Sequence, residues 1–139
     1  RSDLELANYY YNKNDYQKAI PYYEKALEFD PNNFSVIKNL ALLYLETKQF
    51  DIASSFTNQQ IDFYPSQPLL YLVNGTANRY LNKLELATDY LMMGLDYIID
   101  NKELQRDFYR ELSTAYSLRG NIIESEAFTN KAIELEKTP

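Results

Sequence analysis

Apolar residues recur along this chain at intervals of three and four, with polar residues between them. Leu6 with Tyr10, Leu40 with Tyr44 and Leu112 with Tyr116 each lie one turn apart, the stripe of a helix that buries one face. The pattern predicts eight helices, near 2 to 13, 16 to 30, 34 to 47, 50 to 63, 68 to 81, 84 to 99, 102 to 118 and 122 to 137. Asp15 and Asn121 precede two of them as N-caps, because a short side-chain oxygen can accept from a free first-turn amide. Pro68 suits a first turn, where its missing N–H is no loss. Pro31 and Pro65 close two further helices, since proline cannot donate the next intrahelical bond. Pro21 is the local conflict: about six residues into a helix, it removes the bond to the Gln17 carbonyl and is expected to bend that helix.

The pattern is periodic on a longer scale. Sliding the chain by 34 residues places Tyr10 on Tyr44, Tyr16 on Phe50, Ala19 on Ala53 and Pro31 on Pro65. A second shift of 34 puts Gly75 on Ala41, Leu84 on Phe50 and Ala87 on Ala53, although Pro65 now meets Ile99. A last unit aligns only after a shift of 38, through Tyr116, Gly120, Ile122, Ser125 and Ala132, so about four extra residues sit near 100 to 105. Each unit carries one small residue on its first helix (Ala7, Ala41, Gly75, Ser113) and one on its second (Ala19, Ala53, Ala87, Ser125), which lets two antiparallel backbones approach closely. Each hairpin leaves an apolar side uncovered, and stacking the next hairpin on it completes the core.

The stretch from Asp15 to Asn33, DYQKAIPYYEKALEFDPNN, closely resembles the second half of a tetratricopeptide repeat (TPR), and the resemblance recurs over the whole chain. It implies an all-α, right-handed superhelical α-solenoid of about four helix-turn-helix hairpins. The units fall at roughly 1–33, 34–67, 68–105 and 106–139 of a single domain, read as a fragment of a longer chain. Departures occur at Gln60, where other units have a small residue, at Thr57, which replaces a large one, and at Asn78, which stands in place of Tyr. Units two and three are expected to pack less regularly for that reason.

Composition narrows the chemistry. The 139 residues include no Cys and no His, so the chain supplies no thiol nucleophile, no Ser-His-Asp triad and no thiolate or imidazole metal ligand. Twenty acidic against fourteen basic residues, net −6, work against binding a phosphate backbone. The longest apolar stretches, Leu40 to Leu45 and Tyr90 to Ile99, fall short of the roughly 18 residues that a membrane span needs. The chain opens at Arg1 without Met or a signal-like region, which reads as an excised or processed piece, and both cytoplasm and periplasm suit it.

Specific motifs mostly have structural explanations. Asp96 with Asp100 and Glu85 with Asp89 form acidic pairs four apart, better read as a solvated helix face than as catalytic carboxylates or a cation site. Asn74-Gly75-Thr76 fits a glycosylation acceptor but falls in a packed helix. Tyr9-Tyr10-Tyr11 point three ways, so at most one or two of them face a single site. Met92-Met93 read as gap-filling side chains in the core or at a hairpin contact. No catalytic residue, cofactor or metal site is expected, and the chain reads as no enzyme.

The working surface follows from the resemblance. In TPR arrays the first helices line a concave inner face that holds an extended or helical peptide. By position this face takes Leu4, Asn8 and Tyr11 from unit one and Lys38, Leu42 and Leu45 from unit two. Leu72, Thr76 and Arg79 come from unit three, Arg110 and Thr114 from unit four. The Lys, Asn and Arg clamp with which chaperone-binding relatives grip a terminal carboxylate is not recognisable, since Leu4, Leu42, Leu72 and Thr76 occupy its places. The expected function is a protein-interaction scaffold whose apolar middle, Leu42, Leu45 and Leu72, is flanked by Lys38, Arg79 and Arg110, suited to an amphipathic or acidic-apolar partner. Alternatively, the chain is a structural or sensory spacer within a larger bacterial regulator or envelope protein. A homodimer through terminal helices bearing Ile123, Phe128 and Ile133 is a further expectation.

Overall fold

The computed structural model describes residues 2 to 137, so the features expected at Arg1 and Pro139 lie outside the described residues. Among the described residues the chain forms eight helices and no strand. They are α1 (Asp3–Asn12), α2 (Tyr16–Phe29), α3 (Phe34–Glu46), α4 (Phe50–Phe63), α5 (Pro68–Tyr80), α6 (Leu84–Leu95), α7 (Lys102–Leu118) and α8 (Ile122–Lys137). Each helix packs on the next, and α5 also meets α3 and α7, so the four hairpins stack as an α-solenoid with α3, α5 and α7 side by side.

The four hairpins turn in one way. Asn14, Lys48 and Asn82 each have φ of 60° and Gly120 has 83°. After this left-handed residue, the amide of Asp15, Gln49, Lys83 or Asn121 donates to the carbonyl of Tyr10, Tyr44, Asn78 or Tyr116 at 2.8 to 2.9 Å. That bond satisfies a carbonyl that the helix end would otherwise leave open. At the starts of helices, Asp15, Asn33 and Asn101 accept from the Lys18, Val36 and Leu104 amides. α2 runs unbroken through Pro21, and Pro21 and Gln17 are both exposed, so the carbonyl lacking its partner is not shut away from water.

The small residues set how closely the hairpins close. Ala7, Ala19, Ala41, Ala53 and Ala87 are fully buried. A Cβ on Gly75 would lie 2.5 Å from Leu91 Cγ, and one on Gly94 would run into Tyr71 Cβ and come within 2.9 Å of the Phe108 ring. The core falls into two clusters. One centres on Tyr23, Leu40 and Tyr44 and includes Val73 and Ala77 of α5; the other joins Tyr71, Leu91, Phe108, Leu112 and Phe128. α5 therefore feeds both.

The departures in units two and three form a buried polar network. Asn74 Nδ2 donates to the Ser54 carbonyl at 3.1 Å and to Thr57 Oγ1 at 3.0 Å, and Thr57 Oγ1 donates to the Ala53 carbonyl at 2.8 Å. Asn78 Nδ2 donates to Asn74 Oδ1 at 2.8 Å. Thr57, Asn74 and Asn78 are all buried. Where other units carry a Tyr and a bulky residue, the smaller groups here hydrogen-bond to one another through Asn74, which keeps the α4–α5 contact closed.

Three expectations need correction. α6 ends at Leu95 rather than near 99, although Ile98 and Ile99 continue the apolar run. Ile98 instead packs against the second cluster from an irregular segment, Tyr97 stacks on Tyr71 at 5.6 Å, and Asp100 turns the chain with φ of 47°. Met92 and Met93 are 40% and 46% exposed, because Leu91 and Gly94 take the inward positions of α6. Phe128, expected on an outer face, is buried and stacks on Tyr116 with ring centroids 5.8 Å apart.

Candidate functional site on the inner face

Three parallel helices separated by one packing distance leave a furrow wherever their facing side chains are short. Such a hollow, of about 310 Å³, lies across α3, α5 and α7. Its apolar lining is Leu42 and Leu45 of α3 with Leu72 and Val73 of α5. Thr76 of α5 and Asp107, Arg110, Glu111 and Thr114 of α7 supply its polar wall. Leu42 is 38% exposed, a branched aliphatic group open to solvent at the mouth of a concave surface. A second hollow of about 650 Å³, lined by Glu46, Lys48, Phe50 and Tyr80, adjoins the first through their shared Leu45 and Thr76.

The hollow brings together six of the residues named from the sequence, Leu42, Leu45, Leu72, Thr76, Arg110 and Thr114. Asn8 and Tyr11 belong to a separate group on the first hairpin. Tyr23 donates its hydroxyl proton to Asn8 Oδ1 at 2.6 Å, Asn39 Nδ2 reaches the same hydroxyl at 3.4 Å, and the Tyr11 ring meets the Tyr23 ring edge-on. Burial is the main influence on Tyr23, pushing its hydroxyl pKa up. Leu4 lines another hollow with Ala26 and Phe29, and Lys38, one turn before Leu42, is exposed and does not line the furrow.

Arg79, which flanks the furrow without lining it, and Arg110 are already engaged. Arg79 Nε and Nη2 donate to Glu111 Oε2 and Oε1 at 2.7 and 2.9 Å, with both side chains mostly covered at 16% and 20% exposure. These hydrogen bonds hold the Arg79 guanidinium above its ordinary pKa range against the opposing effect of burial. The guanidinium also lies 4.3 Å from the centre of the Tyr80 ring, which stacks on Phe50. Arg110 Nη2 donates to Glu136 Oε1 at 2.6 Å in a more exposed pair. Asp107, Glu111 and Val73 were not foreseen as part of the site. Their signal lay in spacing: Asp107, Arg110, Glu111 and Thr114 recur at three and four on one face of α7.

Other candidate chemistry is used structurally. Asn74 of the glycosylation-like triplet is 1% exposed and hydrogen-bonded into the network described above, so its amide is closed to modification in the folded chain. Among the described residues no three acidic side chains gather to hold a metal ion, and no helix is long and apolar enough to cross a membrane.

Comparison with known proteins agrees with the geometry. Two tetratricopeptide repeat family models match residues 4–33 and 22–53. Human RNA polymerase II-associated protein 3 is 30% identical over 123 residues, which is 88% of this chain but 18% of that protein. The Hsp70-Hsp90 organizing protein 1 of Glycine max is 43% identical over 47 residues, 34% of this chain and 8% of that protein. The chain thus spans under a fifth of the length of these curated relatives. Among solved structures, MamA from Desulfovibrio magneticus RS-1 superposes with a TM-score of 0.85 over 97% of this chain and 74% of that one at 21% identity, a likeness of fold. With its 34-residue period, its recurring hairpin turn and the two family models that match it, the chain belongs to the tetratricopeptide repeat family.

Proposed function

We propose that this chain is a non-catalytic scaffold that holds a segment of a partner protein in the furrow between α3, α5 and α7. The relatives and the family support a protein-interaction scaffold in general terms. The observation that carries the finer reading is the aliphatic lining of the furrow, exposed Leu42 with half-buried Leu45 and Leu72, in a hollow whose two flanking arginines are held in pairs. Such a floor favours partner side chains that lose apolar area to it, at about 25 cal/mol per Å² removed from water.

The test is Leu42→Asp, alone and with Leu72→Asp, compared with the unaltered chain for proteins captured from a native lysate. Circular dichroism and thermal unfolding establish that each variant still folds. Loss of a reproducible partner from the folded variants is the expected result. Retention of every partner by both variants rejects the furrow, and leaves the array as a spacer that holds neighbouring segments apart.

A further inference from the structure

Resting on the furrow as the docking site, the geometry points to the chemistry of its occupant. We infer that it takes an aliphatic side chain next to a lysine or arginine, with the cation set against Asp107. The two arginines beside the furrow do not recruit an acidic segment, because each already holds a carboxylate: Arg79 has Glu111 in a two-bond pair, and Arg110 has Glu136; Lys38 and Lys48 lie outside its lining. An acidic partner would have to displace the mostly buried Arg79–Glu111 pair or be repelled by Glu111 in place.

Subtracting the pairs leaves one charge on the lining. Asp107 is exposed and, among the described residues, has no ion pair. It lies one turn before Glu111 on α7 and faces the same hollow as Leu42, Leu45 and Leu72. A cation placed there meets an unneutralised carboxylate beside an apolar floor. The chain's excess of six acids adds a long-range field of the same sign, which favours the approach of a cationic segment. Discrimination arises from both parts of the lining: the leucines exclude a purely polar segment, and Asp107 disfavours an acidic one.

The experiment uses twelve-residue fluorescent peptides of Gly, Ser and Ala, each with one Leu flanked by Lys, by Asp or by Ser. Binding to the 139-residue chain is followed by anisotropy at low and moderate ionic strength. The Lys-flanked peptide is expected to bind about fivefold better than the Asp-flanked one, the scale of an exposed ion pair, with the advantage shrinking as salt rises. Asp107→Lys, at an exposed position, is expected to reverse that order. Leu42→Asp is expected to abolish binding of all three. Binding that disappears in Leu42→Asp but ignores flanking charge, or favours Asp, overturns the cation assignment and leaves the furrow standing. Binding that survives Leu42→Asp, or no binding by any peptide, overturns both.

Discussion

Arg79 and Glu111, 32 residues apart in sequence, clasp each other through two hydrogen bonds of 2.7 and 2.9 Å and tie α5 to α7 beside the furrow. The pair extends outward through the Tyr80 ring, which lies against Arg79 on one side and Phe50 on the other, so that α4, α5 and α7 are linked by a single row of side chains. This row holds a base that would otherwise be available to a partner, and the inner face is more neutral than its count of arginines suggests.

Removing one member of the pair leaves the other mostly covered and unpaired. Glu111→Gln is expected to lower the unfolding free energy by about 1 to 3 kcal/mol. Arg79→Met with Glu111→Leu is expected to cost less than the sum of the two single changes. Urea unfolding of Glu111→Gln, of Arg79→Met and Glu111→Leu singly, and of the double variant measures this, and strict additivity of the two single effects would contradict the coupling.

Gly94 is held by contact. Its missing Cβ leaves room for the Tyr71 side chain at its root and for the Phe108 ring, neither of which can swing clear without moving α5 or α7. Gly94→Ala is expected to destabilise by about 1 to 3 kcal/mol as an overpacked site. Gly75→Ala meets the Leu91 side chain, whose branch can rotate, and is expected to cost less. Thermal unfolding of the two variants ranks them.

The Asn74–Thr57 hydrogen bond is closed to water, so removing one partner strands the other. Asn74→Ala and Thr57→Val are each expected to cost about 1 to 3 kcal/mol, and the double variant less than their sum, since the second change removes a group already left without its partner. A double-mutant cycle in urea reads the coupling directly.

Much of the fold was legible because helix stripe, cap and repeat spacing agree with one another. Seven of the eight helices end within about two residues of where the pattern puts them. The exception shows why local pattern fails: Ile98 and Ile99 prolong the stripe of α6, yet Tyr97 stacks on Tyr71 and the chain leaves the helix after Leu95. The furrow's leucines were legible for the same reason as the core, from their places in the repeat. The partners of Arg79 and Arg110 were not, because Glu111 and Glu136 lie 32 and 26 residues away and meet them only when the hairpins stack. Equally hidden was the joint change at Thr57 and Asn78, which as single departures suggested looser packing but together make a hydrogen-bonded contact.

The hairpin turns separate backbone strain from crowding. Lys48 adopts φ of 60°, where its Cβ is strained, at the place that Gly120 holds in the last unit. Lys48→Gly is expected to stabilise by about 0.5 to 1 kcal/mol, the relief of strain outweighing the greater freedom of glycine in the unfolded chain. Gly120→Ala, with no atom within 4 Å of the added Cβ, is expected to destabilise by about 1 kcal/mol through φ alone. Opposite shifts in the urea midpoint are the expected signature. A loss of stability in Lys48→Gly would show that the lysine side chain contributes more than its backbone strain removes.

Alkaline pH should probe the first core through Tyr44. Its hydroxyl is buried and donates to Glu24 Oε2 at 2.7 Å, and burial first, then the carboxylate, raises its pKa well above the usual value near 10. Since the folded state holds this proton more tightly than the unfolded state does, the stabilisation is complete below pH 10. It is lost as rising pH ionises Tyr44 in the unfolded chain, by up to about 1.4 kcal/mol per pH unit. Tyr44→Phe removes the hydroxyl, so it costs about 0.5 to 1.5 kcal/mol near neutrality through the lost hydrogen bond, yet its stability should fall less steeply above pH 10. Tyr23 and Tyr71, also raised chiefly by burial, keep part of the slope in that variant. Urea unfolding of both chains at intervals from pH 8 to pH 11 decides the matter: convergence of the two stability curves toward high pH supports a buried neutral Tyr44, and parallel curves refute it.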